Sequence, residues 1–125
     1  MAITRKEVQS YLDDVKRAVN EHRYTVSPRD KNEQLFRDYV FTEKKREEIL
    51  LALSVEDFCE VLDNEHPRFA HEKLYVFGKD VLLLPRYGHG EKLVSLYIKF
   101  NKLENLFCII ISFHEQEHPL GYVFR

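Results

Sequence analysis

Tryptophan is absent from this 125-residue chain, methionine occurs once, cysteine twice, and glycine and proline four times each. The two cysteines, Cys59 and Cys108, lie far apart in apolar surroundings. That argues against a disulfide-stapled scaffold or a cysteine zinc module, and both read as reduced core thiols. Internal repeats and linker segments are lacking, so residues 1–125 read as a single domain. Long apolar runs are missing too. The longest, Leu106–Ile111, falls far below the roughly 20 residues a bilayer span needs. Met1–Glu7 lacks the apolar core of a secretory leader. The expectation is a cytoplasmic protein without a membrane partner. Positive charge is not in excess: 19 Lys and Arg stand against 21 Asp and Glu, a formal net charge of −2. No polybasic arm occurs, which argues against tight non-specific nucleic-acid binding. A small site engaging a few phosphates stays open.

What is present divides the chain in two. Helical periodicity rules residues 4–61. Thr4 and Glu7 fit a capping box, and Val8, Leu12, Val15 and Val19 follow at helical spacing to about His22. Tyr24-Thr25-Val26 and then Ser27-Pro28 break that pattern. A short amphipathic piece falls at residues 34–39, Thr42 caps a helix over residues 43–53, and Ser54 starts another reaching Val61.

Strand patterns fill residues 73–124. Leu74–Phe77 alternates, Gly78-Lys79-Asp80 reads as a turn, and Val81–Leu84 reads as a second short strand. Pro85–Gly90 is a loop. Residues 92–100 and 106–114 form an antiparallel hairpin across Asn101–Asn105. The fold class is therefore α+β, with N-terminal helices packed on a small C-terminal antiparallel sheet.

Candidate chemistry gathers on that hairpin. With a side-chain period of two, Tyr97 and Lys99 share one face of the first strand, and Ser112 and His114 share one face of the second. If the polar sets coincide, all four meet on one surface, opposite an apolar surface covered by helices. An imidazole suits proton transfer at neutral pH, and a phenol can donate to a phosphate or leaving group. Lys79 and Lys99 are candidate phosphate-stabilising cations. Arg86 and Tyr87, in the Pro85–Gly90 loop, suit contact with RNA, Tyr87 by stacking on an unpaired base. His66, His71 and His89 fall in or beside loops and receive no role.

His114-Glu115-Gln116-Glu117-His118 matches the H-E-x-x-H zinc pattern, which requires both histidines one helical turn apart. Here a strand leads into the match, and Pro119 and Gly121 follow it. We read it as accidental and assign neither a metal nor another cofactor.

Several segments, taken in order, resemble one family. Ala52-Leu53-Ser54-Val55-Glu56-Asp57-Phe58-Cys59, Leu74-Tyr75-Val76-Phe77-Gly78-Lys79, Leu96-Tyr97-Ile98-Lys99, and Ile111-Ser112-Phe113-His114-Glu115 followed by Pro119-Leu120 and Tyr122 are similar to segments of the MqsR-like toxins of type II toxin–antitoxin systems. The resemblance implies a RelE-like fold and an mRNA interferase, a metal-independent endoribonuclease that uses the RNA 2′-hydroxyl as nucleophile. It implies two partners, messenger RNA and a cognate antitoxin protein. His114, where better-known members carry a lysine, would be the general acid or base. Tyr97 matches the family's strand tyrosine, and Lys79 and Lys99 would steady the phosphate. Glu60 stands where those members offer a lysine. With the acidic charge balance, it favours the alternative of a non-catalytic interaction protein on the same fold.

Overall fold

The computed structural model describes residues 2–125. Helix α1 (Arg5–Asn20) opens with the expected capping box: Thr4 Oγ1 accepts from the Glu7 amide, and Glu7 accepts from the Thr4 amide. Its apolar stripe, Val8, Tyr11, Leu12, Val15, Ala18 and Val19, is buried. Strand β1 (Tyr24–Val26) follows, then α2 (Asp30–Asp38) and α3 (Glu43–Leu51), the last capped by Thr42.

Strands β2 (Phe58–Leu62), β3 (Leu74–Leu83), β4 (Lys92–Lys102) and β5 (Cys108–Glu115) complete a five-stranded sheet in the order β1-β5-β4-β3-β2. The architecture is α+β. The sheet is mixed rather than wholly antiparallel, because β1 runs parallel to β5. Two further expectations need correction. Residues after Ser54 make only a single 3-10 turn, Val55–Asp57, before entering β2. Gly78-Lys79-Asp80 is no turn: β3 runs straight through it and pairs with β4 from Leu74–Asn101 to Leu83–Lys92.

One sheet face is the core. Phe77, Leu96, Ile98, Phe100, Ile110 and Phe113 are fully buried there, in one apolar cluster with residues of α1, α2 and α3. The other face carries the alternate residues, Gly78, Asp80, Ser95, Tyr97 and Lys99 among them, and is crossed by the segment after β5. A Cβ on Gly78 would meet the Tyr122 hydroxyl, and Leu120 Cδ1 at 2.6 Å, so glycine here lets that segment lie flat on the sheet. The segment continues past the β2 edge, where the Val123 amide donates to the Phe58 carbonyl and Phe124 packs against Phe58. Among the described residues no helix is long and apolar enough to cross a membrane.

Candidate active site

The β4–β5 ladder sets Tyr97 directly opposite His114 and Lys99 directly opposite Ser112. All four side chains line one cleft of about 480 Å³ on the open sheet face. A bulge follows Lys99, where the register steps from Lys99–Ser112 to Phe100–Ile110 and leaves Ile111 unpaired. It keeps both polar pairs on the open face while returning Ile110 to the core.

The Tyr97 and His114 rings stack, with centroids 5.2 Å apart and planes 14° apart. His114 Nδ1 lies 2.8 Å from the Glu115 carbonyl oxygen. A carbonyl can only accept, so Nδ1 carries the hydrogen; in the neutral ring Nε2 then holds the free lone pair. Burial, chiefly, raises the Tyr97 phenol above its ordinary value, and Glu60 adds to the rise. Tyr97 is thereby a hydrogen donor, not a base, at neutral pH. Burial also lowers Lys99, and the nearby Arg29 guanidinium lowers it further.

The remaining walls come from two places that strand alternation cannot reveal. Arg29, Asp30, Lys31 and Asn32 arrive from the first turn of α2, and Glu117, His118 and Leu120 from the segment after β5. Lys31 and Glu117 form an ion pair across the cleft mouth, and this contact holds the Glu117 carboxylate below its usual range. Buried Asn32 explains why α2 sits here. Its Nδ2 donates to the Ser27 and Ile111 carbonyls at 2.9 and 3.0 Å, while its Oδ1 accepts from the Phe113 amide at 2.7 Å. One side-chain amide thus continues the ladder along the β5 edge where β1 stops.

Lys79 does not belong to this cluster. It pairs with Leu96, so it emerges on the helix-covered face, where its ammonium lies 3.3 Å from the buried Asp57 carboxylate. Arg125 contacts the other Asp57 oxygen at 3.3 Å. Lys79 therefore balances a buried charge. We expect Lys79→Met to cost about 1–3 kcal/mol, since Asp57 then keeps the Ser54 amide but only one, half-exposed, cationic partner, Arg125; urea unfolding measures it.

Arg86 and Tyr87 also stand apart from the cleft lining. Arg86 Nε donates to the Phe36 carbonyl and its amide to the Asp38 carbonyl, closing the C-terminal end of α2. Tyr87 is 92% exposed in the loop between β3 and β4. The zinc-like motif is divided between strand and irregular chain: His114 lies in β5 and His118 lies beyond its end. The helical spacing that zinc ligation by this motif requires is not formed.

Comparison of the chain with protein-family models, with curated proteins and with solved structures gave no match.

Proposed function

We propose that the protein is a metal-independent endoribonuclease acting on messenger RNA, the toxin of a type II toxin–antitoxin system with a RelE-like fold, working in the cytoplasm under control of an antitoxin protein. The observation that carries this reading is the Tyr97–His114 stack beside Lys99 in a single cleft. Cleavage by transesterification needs a base for the 2′-hydroxyl, a proton for the leaving 5′-oxygen, and positive charge at the phosphate.

His114 Nε2 takes the 2′-hydroxyl proton as the 2′-oxygen bonds to phosphorus. The bond from phosphorus to the 5′-oxygen breaks, leaving a 2′,3′-cyclic phosphate and a 5′-hydroxyl. Tyr97, kept protonated by its burial, donates a hydrogen bond to the phosphate. His118 lines the same cleft and supplies the proton to the departing oxygen. Lys99 opposes the charge that grows on the non-bridging oxygens. Metal-free cutting of a structure-poor RNA, with cyclic-phosphate ends, is the expected result; purified protein that leaves such RNA intact, free and in the presence of ribosomes, refutes it.

A second reading rests on a different observation. Leu82 and Leu93 face each other across β3 and β4 and are 50% and 62% exposed. With Leu84 and Tyr87 they make an apolar end to the sheet suited to a protein partner. On the leading reading that partner is the antitoxin. On the alternative, partner binding is the whole function and RNA is not cut.

A further inference from the structure

We infer that the first turn of α2, together with Arg29, Lys99 and Ser112, is a phosphate subsite that grips the backbone of the RNA; the identity of the ligand rests on the ribonuclease reading, while the site itself does not. Four observations converge on it.

The helix start is open. Arg29 at the N-cap provides no side-chain cap, and the amides of Asp30, Lys31 and Asn32 have no protein acceptor among the described residues. Uncapped amides at the positive end of a helix dipole favour an anion. Ser112 is the second feature. It is 3% exposed, lines the cleft, and its hydroxyl has no hydrogen-bond partner among the described residues. Asn32 bonds to the residues on either side of it, Ile111 and Phe113, so the open helix turn is fastened beside that hydroxyl.

Charge supplies the third and fourth. Arg29 and Lys99 have no ion-pair partner among the described residues, although both line the cleft. They lie in one cleft as like charges, and Arg29 adds to the lowering of Lys99 that burial chiefly causes. Two like charges brought together in a half-buried cleft are unfavourable unless an anion sits between them. The carboxylates nearby do not fill that place. Glu117 is taken by Lys31, Asp30 and Glu33 in the first turn of the helix form no ion pair with either cation among the described residues, and Glu65 exerts only the smallest effect on Lys99. Phosphate oxygens meet the whole donor set: two cations, a hydroxyl and backbone amides.

The test is a titration of the full-length protein with inorganic phosphate at fixed ionic strength, followed through the backbone amide resonances. Saturable shifts are expected at Asp30, Lys31 and Asn32. Arg29→Gln should weaken binding about tenfold, the loss of one charge-assisted contact. Ser112→Ala, a near-isosteric change that keeps the fold, should weaken it several-fold. Phosphate should also raise the titration point of Lys99, and so should Arg29→Gln alone, because each removes or offsets the opposing charge. No shift at the three amides, or equal binding by wild type and both variants, overturns the subsite. The two readings fail separately. Phosphate binding without RNA cutting leaves the subsite and removes the ribonuclease; RNA cutting without amide shifts does the reverse.

Discussion

Replacing His114 by alanine should lower RNA cleavage by about 10²–10⁴-fold while leaving the fold intact, the range expected when a positioned acid or base is removed. His114 is part-exposed at the end of β5, and among the described residues the one hydrogen bond of its ring runs to the carbonyl of the next residue. Its removal opens no large cavity, so circular dichroism and thermal unfolding should change little. The stacked Tyr97 ring would lose a neighbour but keep its place in β4. His114→Asn sharpens the test, because it keeps a polar planar group but cannot exchange a proton near neutral pH. Equal losses in both variants identify proton transfer as the missing function. Full activity in His114→Asn would assign His114 a packing or hydrogen-bonding role instead.

Asn32→Leu should destabilise the protein by about 3 kcal/mol, roughly a 10 °C fall in melting temperature for a domain of this size. The change is close to isosteric, so the cost comes from polarity. Asn32 is 1% exposed and satisfies the Ser27 and Ile111 carbonyls and the Phe113 amide. Leucine takes this partner from the part-buried Ile111 carbonyl and the buried Phe113 amide, while the Ser27 carbonyl keeps only the Arg29 amide. Asn32→Asp should not rescue the loss, because its second oxygen would face two carbonyl oxygens. The same variants should loosen the α2 turn from the cleft, so activity should fall even below the melting transition. Thermal unfolding near the wild-type temperature would show that water or a rearranged α2 replaces these bonds.

Strand alternation made the centre of the site legible. Tyr97, Lys99, Ser112 and His114 were separable by parity alone, and the ladder pairs them one to one. Parity failed at Lys79 because Gly78-Lys79-Asp80 has the composition of a turn. The glycine serves another purpose there, admitting Tyr122 and Leu120 across the sheet, a contact more than 40 residues distant that no local pattern encodes. Strand β2 was hidden by the helix-like spacing of Val55 and Phe58, which arises from a 3-10 turn followed directly by a strand. Strand β1, at three residues, is too short to display alternation. Arg29 and Asn32 stayed invisible for a related reason. Their position depends on side-chain bonds to β5, 79 and 81 residues away from Asn32.

The most direct measurement is end-group analysis of a structure-poor RNA incubated with the protein in excess EDTA, alongside a copy carrying 2′-O-methyl groups throughout. Cutting of the first alone, with 2′,3′-cyclic phosphate and 5′-hydroxyl ends, is the result expected from a His114 base acting on the RNA's own hydroxyl. Cutting of both, or 5′-phosphate ends on the products, would contradict that chemistry.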